Sequence, residues 1–141
     1  MGSDWFAEVF NEKYINHHII NEIIFHKKNG AAIVLVSGSM NSCLDPIASL
    51  VYASHVLCTK QEVVNGIITG EILHPQTIGD GKAVAMEDFC RSLNNIDLTL
   101  CFAYGDHISD IPMLEKVGYP CVVKGDSLLE KIALERGWKT L

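Results

Sequence analysis

Gly105-Asp106-His107-Ile108-Ser109-Asp110 stands between the apolar run Leu98–Ala103 and the segment Ile111-Pro112-Met113-Leu114. A strand emptying into a glycine turn would carry Asp106 to the mouth of a sheet, with Asp110 one helical turn later on the same face. Two carboxylates held that close repel each other unless a cation lies between them. The spacing therefore points to a site for a hard divalent ion such as Mg²⁺. A plain helix cap at Asp106 is the equally open alternative, because Asp caps helices well.

Two further groups have the chemistry to join these acids. Ser37 follows the apolar run Ala31–Val36, where its hydroxyl and the amides of Gly38 and Ser39 could hydrogen-bond a phosphoryl oxygen. Lys82 opens a helix after the flexible Gly79-Asp80-Gly81, a suitable place for a cation facing an anionic group. In open α/β sheets ligands sit beyond the carboxyl ends of the strands, and all three features follow such strands in the sequence. Taken singly, a Ser-Gly is ordinarily a turn and a lysine is ordinarily solvated. Together, a hydroxyl, a lysine and paired acids suit phosphoryl transfer, where positioning and charge neutralisation do most of the catalysis.

The elements that must position these residues alternate in type. Apolar spacing predicts one long or two short helices over Trp5–Lys28, ended by Asn29-Gly30. Ala31–Val36 reads as a buried parallel strand, and Asp45-Pro46 as the start of a helix reaching about Ala53. His55–Cys58 is the next strand. Asn65-Gly66, flanked by Val63-Val64 and Ile67-Ile68, is a strong hairpin signal. A helix from Lys82 to about Leu93 follows, then a strand Leu98–Ala103, a helix Ile108–Val117 and a strand Tyr119–Val123. Asp126-Ser127 caps a last helix through Arg136. This alternation predicts an α/β fold, Rossmann-like, with an open, mostly parallel sheet, helices on both faces and one small β-hairpin.

Composition narrows the function classes. The 141 residues are 48% hydrophobic, enough for the core of one domain covering residues 1–141. Eleven basic against 17 acidic residues, net −6 with no basic block, argue against nucleic acid or an anionic membrane as partner. A small phosphorylated metabolite needs only one or two local cations and stays open as substrate. The acids near Met1 and the lack of a long apolar run predict a cytoplasmic protein. Cys43, Cys58, Cys90, Cys101 and Cys121 form no CxxC pair and are expected to be reduced and structural. His17 and His18 are adjacent, so their rings diverge on a helix and cannot share a metal.

The order of these motifs resembles the haloacid-dehalogenase-like hydrolases, specifically the phosphoserine-phosphatase-like subfamily IB. Val36-Ser37-Gly38-Ser39 resembles the second motif, whose serine contacts phosphate. Lys82 resembles the third-motif lysine, which neutralises phosphate and nucleophile, and Asp106 with Asp110 resembles the fourth motif, which holds Mg²⁺. Thr59–Gly70 is similar to the segment between the second and third motifs, and Val117-Gly118 and Gly137-Trp138 also match. The resemblance runs from about Phe6 to Trp138.

It implies a Mg²⁺-dependent phosphomonoester hydrolase. It also implies a DxDxT motif whose first Asp is the nucleophile, and no DxD occurs in this sequence. The chain thus reads as the carboxyl-terminal portion of the catalytic core, lacking the first central strand. Residues 5–29 would be what is left of the cap and its connecting helix. That reading predicts inactivity of the chain alone, and self-association, strand exchange or a missing amino-terminal fragment to cover the bare sheet edges. The alternative is a non-catalytic protein of the same fold that keeps the phosphate and metal edge for binding or assembly.

Overall fold

The computed structural model describes residues 14–94 and 96–141, and the chain divides into two compact units, one up to Gln76 and one from Thr77 onward. In the first unit α1 (His17–Lys28) is capped by Asn16, whose side chain accepts from the His18 and Ile19 amides, and it ends at Asn29. The helical expectation for Trp5–Lys28 is met in this part, and its portion before Tyr14 lies outside the described residues. Of residues 5–29, assigned to the cap and its connecting helix, residues 5–13 lie outside the described residues. His17 and His18 are both exposed.

β1 (Val34–Met40) pairs in parallel with β2 (His55–Thr59), with Val36 opposite Leu57 and Ser37 opposite Cys58. β1 starts later than expected, is half-buried rather than buried, and runs on through Ser37-Gly38-Ser39. The extra residues are accommodated by a register shift between Ser37 and Met40. α2 (Asn41–Leu50) begins before Asp45, so Pro46 is inside the helix and not at its first turn. β3 (Gln61–Val64) and β4 (Ile67–Ile72) form the antiparallel hairpin. Asn65 (φ 52°) and Gly66 (φ 78°) are both left-handed, the twist a two-residue type I′ turn requires.

In the second unit α3 (Asp80–Ser92) starts after Gly79, whose φ of 53° suits a residue without a side chain. The segment expected as a strand over Leu98–Ala103 splits into a 3-10 turn (Leu98–Leu100) and β5 (Phe102–Gly105). Asp97 forces the turn by accepting the Thr99 amide and hydroxyl at 2.9 and 2.6 Å. β6 (Tyr119–Val122) pairs in parallel with β5 and with β7 (Lys139–Thr140), giving the order β5-β6-β7. β7 is too short to show in the apolar pattern. It forms because Gly137 (φ 68°) caps α5 (Ser127–Arg136) in a left-handed conformation and turns Trp138 back onto the Ala133 carbonyl.

The expected helix over Ile108–Val117 is a 3-10 turn (Ile108–Asp110) followed by the single-turn α4 (Ile111–Leu114). Pro112 suits that first turn. The chain must then leave helix geometry because Gly118 passes so close to the Thr99 carbonyl that a Cβ there would overlap it.

The pairing directions agree with a mostly parallel α/β fold. The strands, however, hydrogen-bond as three ladders, β1-β2, β3-β4 and β5-β6-β7, and not as one sheet. Leu114, Val122, Leu129 and Ala133 are fully buried and make the core of the second unit. Burying a side chain such as Leu129 contributes about 1.5–3 kcal/mol. None of the five cysteines is in a disulfide. Burial pushes the Cys58, Cys90 and Cys101 thiols upward, so they stay protonated near neutral pH. Among the described residues no helix is long and apolar enough to cross a membrane.

Candidate active site

β5 ends at Gly105, and the chain turns at once into the acidic loop. Asp110 is its organising residue. Its carboxylate is buried, and it takes the ammonium of Lys82 on Oδ1 at 2.5 Å. Oδ2 accepts the backbone N–H groups of Asp106 and His107 at 3.1 and 3.3 Å. Three of its roughly four lone-pair positions are filled in this way. His107 completes the turn from the other side, its Nδ1 accepting the Ser109 amide at 3.2 Å and lying 2.9 Å from the Ser109 hydroxyl.

This differs from the helical picture of Asp106 and Asp110 on one face. Asp106 and His107 precede the 3-10 turn, and Asp110 folds back under the loop to bind their amides. Asp106 is exposed at the end of β5. Part of the positive charge that the acidic spacing demands is therefore supplied by Lys82. The glycine before Asp106 is a steric necessity: a Cβ at Gly105 would lie 2.7 Å from the Asp110 Cβ and 2.9 Å from its Oδ2.

Lys82 is the third residue of α3, and its amide bonds the Gly79 carbonyl at 3.0 Å. The glycine cap sets where the helix starts, and hence where the ammonium emerges. The structure thus brings Lys82 and Asp110 into contact across 28 positions of sequence. The sequence gives no signal for this partnership, because each residue was legible only through its own local motif.

Ser37, Gly38 and Ser39 belong to the first unit. Ser37 Oγ accepts the Ser39 amide at 3.1 Å, so that N–H is already engaged, while the serine hydroxyl keeps its proton to donate. α2 then begins at Asn41 with no side-chain cap at Met40. Asn41 Oδ1 accepts the Cys58 thiol at 3.0 Å and ties the start of α2 to β2.

Sequence reasoning assigned Asp126 to helix capping alone. It does cap α5, with Oδ1 accepting the Leu128 and Leu129 amides at 3.0 and 3.2 Å. Its Oδ2 also accepts the Ile108 amide of the acidic loop at 2.8 Å. These bonds, Ile108's first, hold its carboxyl below the usual range. A groove of about 670 Å³ lined by Phe102, Tyr119, Arg136 and Trp138 lies at the amino ends of β5 and β6, away from the acidic loop.

A family model for the haloacid dehalogenase-like hydrolases matches residues 2–115. A Mycobacterium tuberculosis protein named "Probable phosphatase" is 37% identical over 134 residues, covering 89% of this chain and 46% of that one. The phosphoserine phosphatase SerB1 of the same organism is 32% identical over 114 residues, covering 81% of this chain and 37% of its own length. A solved structure from Bordetella pertussis superposes with a TM-score of 0.88 at 23% identity, over 98% of this chain and 63% of that one. The chain spans about half the length, or less, of these curated relatives. The family model, matched over most of the chain, and the 37% identical relative agree, and the chain belongs to the haloacid dehalogenase-like hydrolases.

Proposed function

We propose that this chain carries the phosphate- and cation-binding part of a Mg²⁺-dependent phosphomonoester hydrolase, similar to phosphoserine phosphatases. The observation that carries the reading is the ion pair of the partly buried Lys82 with the buried Asp110, beneath the loop that presents Asp106 at the carboxyl end of β5. Such a pair holds an ammonium in a fixed place at the sheet edge, where it can face a phosphoryl group.

The donor chemistry suits Mg²⁺, which binds hard carboxylate oxygens and takes its other ligands from water and phosphate. Asp106 supplies an exposed carboxylate and Asp110 one remaining lone pair, although no group of three or more His, Cys, Asp or Glu gathers among the described residues. A bound Mg²⁺ would neutralise phosphoryl charge. The residues of this chain then divide the work as follows. In the second unit Lys82 would face the phosphate while Asp110 orients Lys82 and the loop; in the first unit the Ser37 hydroxyl and the Gly38 amide are donors of the kind a phosphoryl oxygen accepts. The absence of a DxD motif leaves no positioned nucleophile in this reading, so the chain alone is expected to bind and not to turn over. That same absence favours, as second reading, a binding or assembly protein that has kept the site.

The test is hydrolysis of p-nitrophenyl phosphate with and without Mg²⁺, with D106N as the contamination control, beside a Mg²⁺ titration followed by NMR. The expected outcome is Mg²⁺ binding that D106N weakens, with no D106N-sensitive turnover. Turnover that D106N abolishes would show that another carboxylate serves as nucleophile. Absence of any Mg²⁺ response at Asp106 and Asp110 would overturn the cation assignment.

A further inference from the structure

Five consecutive backbone N–H groups run through the acidic loop, and each has an acceptor. Asp106 and His107 donate to Asp110, Ser109 to the His107 ring, and Asp110 to the His107 carbonyl at 2.9 Å. All four bonds stay within the loop. Ile108 is the exception, since its N–H reaches Asp126 Oδ2, 18 positions away, at 2.8 Å. The other oxygen of that carboxylate caps α5, which the fully buried Leu129 and Ala133 anchor in the core.

The residue type fits this double duty. A helix cap needs one acceptor, and Ser, Thr or Asn provides it as well as Asp. Capping α5 and accepting Ile108 at once needs two acceptor oxygens on one short side chain, which Asp has and the others lack. The depressed carboxyl of Asp126 accords with three donors on its charged form.

We propose that Asp126 is a positioning residue for the candidate site: through the Ile108 N–H it ties the acidic loop to α5 and so fixes the backbone that carries Asp106. The proposal rests on the reading of Asp106 as a cation ligand. Asp126 touches neither the cation nor substrate. It acts as groups behind a metal ligand do, whose loss costs about 10–100-fold in metal affinity.

The variant that separates tether from cap is D126S, because a serine hydroxyl caps a helix and cannot also reach Ile108. Amide exchange in the full chain should show Ile108 at least about tenfold faster, with Leu128 and Leu129 still protected. The Mg²⁺ midpoint, read from the Asp106 and Asp110 resonances, should rise about tenfold. D126N, which keeps the side chain's size and one acceptor, should fall between wild type and D126S in both readouts, and serves if D126S does not fold. Unchanged Ile108 exchange overturns the tether. A loosened Ile108 with an unchanged Mg²⁺ midpoint reduces Asp126 to a helix cap and overturns the positioning role. A wild-type chain with no Mg²⁺ response removes the site that Asp126 would serve, a failure of the underlying reading that the D126S comparison does not mimic.

Discussion

Asp110 holds three donors on a buried carboxylate, and the order in which they can be removed decides what each contributes. D110N takes away the charge beneath a mostly buried ammonium, and breaking such a pair from one side costs about 3 kcal/mol. K82M is milder, about 2 kcal/mol, because the carboxylate keeps the Asp106 and His107 amides. The double variant should fall short of the sum by about 1–3 kcal/mol in urea unfolding, the coupling of a pair in contact. Additive losses would show that the two residues do not meet. Asp126 gives a separate signature in acid. Its folded pKa lies below its unfolded one, so its contribution is present above the unfolded value and is lost as pH falls through the folded value. Stability should therefore decline as pH falls through and below the ordinary Asp value of about 3.9, and D126N should flatten that slope. An unchanged slope would show that the three amide bonds do not persist in solution. At this scale the local placement of Lys82 in the first turn of α3 and of Asp106 just past β5 was legible, since each stands in a short motif. Their partners were not, because Lys82–Asp110 and Ile108–Asp126 join positions far apart in sequence.

Among the elements, those with a local chemical signal fell where the sequence put them. Asp126 caps α5, Gly79 precedes α3, and Asn65-Gly66 makes the hairpin turn. Elements set by packing or by side-chain competition did not. The Leu98–Ala103 run yields its first half to an Asp97 turn, and the Ile108–Val117 helix shrinks to one turn between the acidic loop and the Gly118–Thr99 contact. The hairpin permits a clean test of turn chemistry. A Cβ at Gly66 would meet nothing within 4 Å, so Gly66→Val acts only through its φ of 78°. Left-handed strain of about 1–2 kcal/mol should then open β3–β4 locally. Amide exchange should quicken at Val64 and Ile67, the pair that closes the turn, and stay unchanged at Tyr119 and Val123, whose N–H groups donate to Cys101 and Gly105. Equal quickening in both places would mean that the hairpin unfolds only with the rest of the chain.

For the whole molecule the open question is what covers its apolar surface. Val63 faces Ile68 and Val64 faces Ile67 across the hairpin, and successive pairs point to opposite sides. All four side chains are at least half exposed, so neither side of the ribbon is covered among the described residues. A two-stranded ribbon in that state is marginal in water. Burying the exposed halves of four such side chains contributes roughly 4 kcal/mol per chain. Two chains together reach roughly 8 kcal/mol, the same order as the 4–15 kcal/mol cost of association. The balance predicts weak, concentration-dependent self-association, opposed by the net charge of −6 and strengthened by salt. Sedimentation velocity should show the 15.6 kDa species giving way to heavier ones as concentration rises. Ile67→Lys places a charge in the ribbon and should shift that equilibrium back toward the single chain. A single 15.6 kDa species at every concentration would refute the prediction. Association that Ile67→Lys leaves untouched would move the contact from the hairpin to the outer edges of the parallel ladders, the other place where a second chain can add.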